Sequence, residues 1–347
     1  MTFQVTIRSS GHTFTVGENE SILDAALRQG IILPYGCRNG ACGSCKGTVA
    51  SGKVFYKHGQ PPALSDADAS ENKALFCQAR AQGDLEIIVR EVDAARDIEV
   101  KTLPCRVEKL EHLAHDVVRI YLKLPNTERL QFLAGQYIDV LIKDHEPRAF
   151  SIANAPHDDE FVELHIRFVE GGLFTEQVFH QMQEKAMLRV RGPLGTFFLR
   201  EDADRPAILI GGGTGFAPIK GILEHAFETG IDIPMHLYWG VRARRDLYLD
   251  ELPQSWLEQY PNFSYTPVLS EPMKGDDWSG ATGFVTDAVV ADYPDLSGHD
   301  VYMSGPPVMV ESGHMLFMQH GLDESRFFSD AFEYAAVAES IKGLQQD

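Results

Sequence analysis

The chain has 347 residues, of which 44% are hydrophobic and 23% are charged. This length predicts two or three domains rather than one core, and the composition excludes a disordered or collagen-like chain. The 50 acidic and 31 basic residues give a net charge of -19, which disfavours binding to nucleic acids or to anionic lipid surfaces.

The cellular location is inferred from the start of the chain and from its cysteines. The first residues, MTFQVTIRSS, contain neither the basic nor the apolar segment of a secretory signal. No run of about 18 apolar residues occurs, so no membrane span is expected. The five cysteines are an odd number, which makes a disulfide framework a poor interpretation. We therefore expect a cytoplasmic protein.

The first predicted domain covers residues 1–92. Alternating apolar residues predict strands at its start, and a helix is expected after Ser21, which has the cap partner Asp24, with Gly30 as the helix stop. A long loop rich in glycine and cysteine follows, and the segment LEIIVREV predicts a closing strand. We expect the charged segment 90–100 to be a linker.

Two further domains are predicted after this linker. Residues 102–202 contain strand after strand with one helical interruption near LFTEQVFHQM, which predicts a small antiparallel barrel. Residues 203–335 alternate short apolar runs with helical stretches, which predicts a parallel α/β sheet. We expect residues 336–347 to be a frayed tail. The predicted fold class is thus a multidomain chain with α+β, all-β and α/β parts.

Four of the cysteines follow the spacing C-x4-C-x2-C-x31-C, and they are Cys37, Cys42, Cys45 and Cys77. This is the plant-type ligand spacing for a [2Fe–2S] cluster, in which two tetrahedral irons share two sulfides and take two thiolates each. A structural zinc site is the alternative, but zinc sites with four cysteines usually use two C-x2-C pairs. We expect the fifth cysteine, Cys105, to be a buried apolar residue.

The loop CRNGACGSC, together with the downstream LFCQA, resembles the plant-type ferredoxin domain. The resemblance covers most of the first predicted domain. It implies a β-grasp fold and one-electron chemistry.

A glycine-rich stretch, GGGTG, separates the predicted strand AILI from a helix expected to begin near Pro218. Such a loop points backbone N–H groups and a helix dipole at a diphosphate. It differs from the common dinucleotide motif G-x-G-x-x-G, because Pro218 stands where the last glycine would be. Taken alone, the stretch indicates either a nucleotide-binding loop or a tight packing corner.

Three motifs in order, RAFS, GGLFT and GGGTGFAP, resemble those of the ferredoxin-NADP reductase superfamily. The first implies that Arg148 holds a flavin phosphate, that Phe150 lies against the flavin and that Ser151 offers its hydroxyl near N5. The second implies a pyrophosphate site for FAD, and the third implies the nicotinamide-nucleotide loop. The strand between the first and second motifs is implied to lie along the flavin ring. The further residues assigned in this way are His165, Ile166, Gly171, Gly172, Thr175, Gly212, Gly213, Thr214, Gly215 and Pro218.

The late motif SGPP departs from this superfamily. Many members carry C-G-P-P, in which the cysteine approaches the nicotinamide, whereas this chain has Ser304 followed by Gly305 and Pro306. A hydroxyl can still form a hydrogen bond, but it is smaller and less polarizable than a thiol. The resemblance therefore implies a catalytic role for Ser304 with altered geometry.

Near the end of the chain, FFSDAFEY places Asp330 and Phe332 where members often carry an acidic residue and an aromatic beside the flavin. A closing strand with an exposed aspartate is the alternative. After the second strand of the nucleotide domain, Arg242 is a further candidate for cofactor binding, although it could instead offset local acidity. Because the usual selector for a 2′-phosphate is missing there, we expect NADH to be preferred over NADPH.

The order of the three domains resembles the single-chain reductases of multicomponent oxygenases and of iron–sulfur dehydratase systems. The segments LPYGCRNGACGSCKG, LAGQYID and GPLGTFFL also resemble the family of CDP-6-deoxy-delta-3,4-glucoseen reductases. The resemblance implies that electrons pass from NADH through FAD to the cluster and on to a redox protein partner, because a hydride carries two electrons and the cluster takes one. We expect a monomer.

Two other functions remain as alternatives. RAFSIANAP, LYWGVR and FSDAF also resemble an NAD(P)H-flavin reductase that releases free reduced flavin, but such an enzyme needs no cluster. A non-enzymatic electron shuttle is disfavoured by the intact glycine-rich loop.

Overall fold

In the computed structural model, which describes residues 1–332, the chain divides into two units between Ile98 and Glu99. The expected tail, residues 336–347, and the expected end of the third domain at residue 335 lie outside the described residues. Within the described part of the chain, no helix has both the length and the apolar character needed to cross a membrane.

The first unit is built around a mixed sheet. Its strands are β1 (Thr2–Ile7), β2 (Thr13–Gly17), β3 (Lys46–Ser51), β4 (Val54–Phe55), β5 (Lys73–Leu75), β6 (Arg80–Ala81) and β7 (Leu85–Ile88), and its helices are α1 (Ile22–Arg28) and α2 (Asp66–Ser70). The main sheet has the order β2-β1-β7-β3-β5, and only β1 and β7 pair in parallel. Apolar side chains of the sheet and of α1, such as Val5, Ile7 and Leu23, form the core of this unit.

The ends of α1 agree with the sequence pattern. Ser21 Oγ accepts a hydrogen bond from the backbone N–H of Asp24 at 3.0 Å, and Gly30 follows the last turn with a φ of +76°, which is a conformation that favours glycine. The pattern did not predict α2. This helix has only five residues, so it is too short to show a helical period, although Ser65 and Asp68 form a capping box at its start.

The predicted barrel is confirmed in the second unit. Its strands are β8 (Lys101–His112), β9 (Val117–Lys123), β10 (Tyr137–Val140), β11 (Arg148–Ser151), β12 (Val162–Arg167) and β13 (Met187–Leu194), and α3 (Leu173–His180) interrupts them. The antiparallel order is β11-β10-β13-β8-β9-β12, and a bridge between Ile152 and Leu164 joins the two outer strands. The inward side chains of β9, which are Val118, Ile120 and Leu122, are buried as the alternation predicts.

The predicted parallel sheet follows the barrel. Its strands are β14 (Ala207–Gly212), β15 (Met235–Val241), β16 (Phe263–Leu269), β17 (Ala281–Thr282), β18 (Asp300–Gly305) and β19 (Phe327–Ala331). The helices are α4 (Phe216–Thr229), α5 (Glu251–Gln259), α6 (Val285–Asp292) and α7 (Pro307–Gln319). All neighbouring strands run parallel in the order β17-β16-β15-β14-β18-β19.

The barrel and the parallel sheet share one hydrophobic core. Val117, Ala134, Phe197 and Leu199 of the barrel segment belong to the same buried cluster as the apolar residues of β14, β15 and α4. Separating these two parts would expose the cluster to water, at a cost of roughly 25 cal/mol for each Å² of apolar surface. The barrel and the parallel sheet therefore form one structural body, although the sequence pattern divides them.

Strand register places the candidate residues of the parallel sheet side by side. Gly211 of β14 is the partner of Ser304 on β18, and Ser304 is the partner of Asp330 on β19. Because these strands are parallel, their carboxyl ends meet at one edge of the sheet, where ligands of such sheets bind.

Candidate functional site

The four predicted cluster ligands lie together in the first unit as two pairs of thiols. The backbone N–H of Cys37 donates to Cys42 Sγ at 3.5 Å, and the N–H of Cys42 donates to Cys37 Sγ at 3.3 Å. The thiols of Cys45 and Cys77 form a hydrogen bond with each other. Two pairs of thiols are the donor set that two irons require, and N–H groups directed at the sulfurs stabilise their negative charge.

Backbone contacts hold this cysteine loop in its shape. Gly40 has a φ of +89°, and a Cβ at this position would lie 2.8 Å from Pro61 Cβ, so only glycine fits. The loop is also tied to the chain around Cys77, because Gln78 Nε2 donates to the carbonyl of Arg38 at 2.8 Å and the N–H of Phe76 donates to the carbonyl of Cys45 at 3.1 Å. The residues present fit a [2Fe–2S] cluster.

Cys105 lies in β8 of the second unit and is 1% exposed. Burial raises the pKa of its thiol to about 12, which keeps it neutral. The expectation that Cys105 is a buried apolar residue is confirmed.

In the barrel, β11 carries the three residues of the RAFS motif. Arg148 is half-buried and its Nη1 donates to the carbonyl of Glu146 at 2.8 Å. The ring of Phe150 packs on Phe174 of α3 with a centroid distance of 5.4 Å. Ser151, at the carboxyl end of the strand, turns its hydroxyl toward the parallel sheet.

The GGLFT motif forms the start of α3, with Gly172 as the N-terminal cap. Thr175 Oγ1 lies 3.0 Å from the carbonyl oxygen of Val169 and 3.2 Å from the N–H of the same residue, which closes the turn. The amide groups of a first helical turn have no acceptor within the helix, so this end of α3 offers N–H groups to an anion.

The predicted flavin strand β12 holds His165 and Ile166, whose side chains lie on opposite faces of the strand and are both buried. Ile166 is fully buried in the barrel core, and His165 is 5% exposed with both ring nitrogens in hydrogen bonds. Any contact of these two residues with a flavin would therefore come from the backbone.

The glycine-rich stretch forms a tight turn between β14 and α4. Gly213 has a φ of +55°, and Gly213–Gly215 form one turn of 3-10 helix. A Cβ at Gly215 would lie 2.0 Å from the carbonyl oxygen of Ser304, which no other side chain tolerates. Helix α4 begins at Phe216, so Pro218 is its third residue. The turn thus presents Gly212, Gly213 and Thr214 at the start of a helix dipole.

Three candidate catalytic residues meet where the barrel contacts the parallel sheet. Ser151 Oγ donates to Asp330 Oδ2 at 3.1 Å, and Asp330 is 7% exposed, so the alternative of an exposed aspartate is wrong. Ser304, beside Asp330 in the sheet, is fully buried. Among residues 1–332, its Oγ has no hydrogen-bond partner. An orphaned buried hydroxyl at this position is suited to a polar group of a bound cofactor.

The remaining candidate residues lie at the same edge of the parallel sheet. Gly305 and Pro306 connect β18 to α7, and the N–H of Phe332 donates to the carbonyl of Gly305 at 3.2 Å. Arg242 follows β15 with an exposed side chain, whose Nη2 lies 3.9 Å from Asp116 Oδ2 and whose Nε lies 3.7 Å from Asp246 Oδ2.

Sequence analysis missed Arg167 and Trp239, which both contact the glycine-rich turn. Arg167, the last residue of β12, is held by Asp116, whose Oδ2 lies 2.8 Å from Nε and 2.7 Å from Nη2. A Cβ on Gly213 would lie 2.8 Å from Arg167 Nη1. Trp239 Nε1 donates to the carbonyl of Gly213 at 2.9 Å. In the sequence, the only signal was that Arg167 follows the candidates His165 and Ile166 and that Trp239 lies in the segment LYWGVR.

Family models match three successive parts of the chain. Residues 5–82 match the 2Fe-2S iron-sulfur cluster binding domain, residues 104–199 match the oxidoreductase FAD-binding domain, and residues 209–314 match the oxidoreductase NAD-binding domain. These matches confirm the predicted iron–sulfur, FAD and nicotinamide cofactors.

Two curated relatives match nearly the whole chain. The CDP-6-deoxy-L-threo-D-glycero-4-hexulose-3-dehydrase reductase of Yersinia pestis is 40% identical over 334 residues, which is 96% of this chain and 99% of that protein. The phenol hydroxylase P5 protein of Acinetobacter pittii is 40% identical over 344 residues, which is 97% of this chain and 96% of that protein.

Two solved structures agree with the fold over most of the chain. The cytochrome P450 reductase GcoB of Amycolatopsis superposes with a TM-score of 0.75 at 33% identity, covering 95% of this chain and 98% of that structure. The ferredoxin reductase of carbazole 1,9a-dioxygenase superposes with a TM-score of 0.68 at 28% identity, covering 96% and 99% of the two chains.

Replacing Cys77 by Ser tests the cluster ligands. We expect Cys77→Ser to lose most of its iron and sulfide, because one iron loses a thiolate, while the flavin content stays that of the wild type. Iron, acid-labile sulfide and flavin are measured on the purified protein. The matched control is Cys105→Ala, which also removes one thiol and should keep its iron. Equal iron in the Cys77→Ser variant and the wild type would contradict the assignment.

Ser304→Ala separates a ligand contact from a structural role. A buried hydroxyl without a partner costs about 1–3 kcal/mol, so its removal should leave the thermal midpoint unchanged or raise it. If the hydroxyl serves the nicotinamide cofactor, the same variant should be reduced more slowly by NADH in stopped flow. Ser304→Cys, which keeps a weak donor, should retain more of the rate than Ser304→Ala. Wild-type reduction rates in both variants would place Ser304 outside the reacting site.

Proposed function

Because this chain belongs to the reductases that join a [2Fe–2S] domain, an FAD-binding domain and an NAD-binding domain in one polypeptide, we propose that it supplies electrons to a protein partner. The partner is an oxygenase component or an iron–sulfur dehydratase component, as the names of the relatives suggest for those proteins. The observation that carries the proposal is the presence, in one chain, of paired cluster thiols and of the Ser151–Asp330 hydrogen bond beside the glycine-rich turn.

The chain is an NAD(P)H-dependent oxidoreductase. When bound, FAD would supply the ability to take a hydride from reduced nicotinamide and to give up electrons singly, and the cluster would supply one-electron transfer toward the acceptor. The residues of the chain bind these groups, orient them and keep water away from them.

Three residues have proposed roles at the reacting edge of the sheet. Asp330 accepts a hydrogen bond from Ser151 and so fixes the direction of the Ser151 hydroxyl. A lone pair on Ser151 Oγ is then available to accept a hydrogen bond from the flavin. The buried Ser304 hydroxyl, without a partner in the described chain, is available to the nicotinamide.

The anionic parts of the cofactors have proposed sites at two helix starts. The first turn of α3, from Leu173 to Thr175, offers N–H groups to the pyrophosphate of FAD, and Arg148 adds a positive charge. Gly171 and Gly172, whose own N–H groups donate to Glu176 and Val169, form the turn that lies before this site. The turn before α4 serves the pyrophosphate of the nicotinamide cofactor. The residues proposed for that second cofactor are Gly212, Gly213, Thr214, Gly215, Pro218, Arg242, Gly305 and Pro306, while Phe150, His165, Ile166 and Phe332 are proposed to line the flavin.

The environment after β15 supports a preference for NADH. Arg244, the arginine next along the chain from Arg242, is tied to Asp276, since its Nη1 donates to the Asp276 carbonyl at 2.9 Å and its backbone N–H to Asp276 Oδ2 at 3.3 Å. The exposed Glu271 follows β16 nearby, and its N–H donates to the carbonyl of Arg242. Carboxylates at this position repel the additional phosphate of NADPH.

We also propose that the protein is a monomer, that it is cytoplasmic and that it has three domains. All three cofactor segments are in one chain, so electron transfer within it needs no second copy. No disulfide bond joins the five cysteines, all of which lie in the described residues, and this is usual for proteins of reducing compartments. We propose domains at residues 1–92, 102–202 and 203–335, and size-exclusion chromatography with light scattering tests the oligomeric state.

Cofactor preference is tested by steady-state kinetics with NADH and NADPH. We expect kcat/KM for NADH to exceed that for NADPH by about tenfold or more, which corresponds to about 1.4 kcal/mol. Asp276→Asn removes the negative charge that lies beside the Arg244 backbone, so it should narrow the ratio by improving kcat/KM for NADPH. Equal values for the two cofactors in the wild type would contradict the proposed preference.

The route to the acceptor distinguishes a reductase component from an enzyme that releases free reduced flavin. In a reductase component, Cys77→Ser should lose reduction of cytochrome c far more than reduction of ferricyanide, because only the protein acceptor depends on the cluster. Both rates are measured with superoxide dismutase present and without added flavin. A wild type that turns over only with added free flavin, and a Cys77→Ser variant that loses neither activity, would favour the flavin reductase.

A further inference from the structure

A buried chain of polar side chains crosses from the barrel to the parallel sheet in the second unit. It consists of Glu163 and His165 on β12, Lys220 on α4, and Tyr248, which follows β15 in sequence. Each of these residues is less than a tenth exposed. We call this set the crossing chain.

Hydrogen bonds of 2.8 to 3.2 Å connect the four members. His165 Nδ1 lies 3.0 Å from Tyr248 Oη, and His165 Nε2 lies 2.8 Å from Glu163 Oε1. Lys220 Nζ donates to Glu163 Oε2 at 3.2 Å and to the carbonyl of Ala153 at 3.1 Å. Ala153 follows β11 by two residues, so Lys220 ties α4 directly to the segment that carries Ser151.

Burial and charge determine how the protons are arranged. Burial lowers the pKa of His165, so the ring is neutral at pH 7. Burial alone would raise the pKa of Glu163, but the hydrogen bond from His165 and the positive charges of Lys220 and Arg119 lower it to about 2. Since an ionised carboxylate only accepts, His165 carries its proton on Nε2 and Tyr248 donates to Nδ1.

The far end of the crossing chain reaches the glycine-rich turn. The ring of Tyr248 packs edge-on against Trp239 at a centroid distance of 5.0 Å and against Phe216 at 6.2 Å. Trp239 stacks on Phe216 at 4.1 Å and also holds the carbonyl of Gly213. The position of Tyr248 therefore affects both the turn and the first residue of α4.

Stability alone does not account for charged groups at this position. A buried ion pair costs desolvation energy that its attraction only partly returns, and apolar residues of similar volume often stabilise as well or better. Hydrogen bonds, unlike apolar contacts, form only within a narrow range of distances and angles. Polar groups therefore fix the relative orientation of the elements that they join.

We propose that the crossing chain positions the glycine-rich turn against the flavin strand, so that its four members are positioning residues for hydride transfer. Tyr248 and Lys220 fix the nucleotide side, and Glu163 and His165 fix the barrel side. The proposal rests on the proposed binding of the nicotinamide cofactor at this turn.

Tyr248→Phe in the full-length protein tests the proposal, because it removes one hydroxyl and keeps the aromatic packing. We expect the limiting rate of flavin reduction at saturating NADH to fall about tenfold, the effect of one lost hydrogen bond. In the absence of NADH, amide hydrogen exchange of residues 211–216 should become about five- to tenfold faster. Iron and flavin contents should match those of the wild type.

Tyr265→Phe is the matched control. Its hydroxyl donates to Asp250 Oδ1 at 2.7 Å, and both residues belong to the nucleotide segment, so no contact across to the barrel is lost. The control should show wild-type rates and wild-type exchange. Glu163→Gln provides a second variant of the crossing chain itself, and it should show the same local increase in exchange as Tyr248→Phe.

The outcomes separate the inference from the function on which it rests. A wild-type protein whose flavin is not reduced by NADH would overturn the proposed function. A reducible wild type, with Tyr248→Phe equal to it in both rate and exchange, would overturn only the inference. Faster exchange throughout the second unit, together with a lower thermal midpoint, would also overturn it, because the crossing chain would then be merely structural.

Discussion

The arrangement of the second unit depends on the close approach of the glycine-rich turn to strand β18. A Cβ at Gly215 would overlap the carbonyl of Ser304, so the missing side chain is what lets the turn lie against the strand. Helix α4 starts immediately afterwards, and its start determines where Phe216 and Lys220 can reach. Because Ser304 pairs with Asp330 in the sheet, the same contact fixes the distance from the turn to the Ser151–Asp330 hydrogen bond.

Local patterns in the sequence were sufficient for the cysteine spacing, the glycine-rich turn and the alternation of β9, because each depends on residues within one segment. The contacts between segments were not predictable in this way. Lys220 is 57 residues from Glu163 along the chain, and Tyr248 is 83 residues from His165. In the sequence, Lys220 resembles a solvated lysine on an amphipathic helix, and only the packing of α4 on the barrel shows that it is buried. Asp330 was ambiguous for the same reason, since its partner Ser151 comes from a distant strand.

The acidity of the C-terminal segment also has a structural explanation in part. Residues 203–347 contain 22 acidic and 8 basic residues, and several carboxylates hold groups near the nucleotide turn. Asp276 Oδ2 accepts from the N–H of Arg244, Asp246 accepts from the N–H of Ala243, and Asp330 accepts from Ser151. Arg167, from the barrel, is held in the same manner by Asp116. A fixed guanidinium loses less conformational entropy when it meets an anion than a mobile one does.

The hydrophobic core shared by Val117, Ala134, Phe197 and Leu199 with the parallel sheet has a consequence for the history of such genes. The first unit has a core of its own, so recombination at the segment near Ile98 would exchange that core as a whole. A crossover near residue 202 would instead join a barrel from one protein to a parallel sheet from another. The side chains in their shared core would then not have been selected to pack together. The barrel and nucleotide segments must therefore be inherited as one piece, whereas the iron–sulfur unit can be gained, lost or replaced.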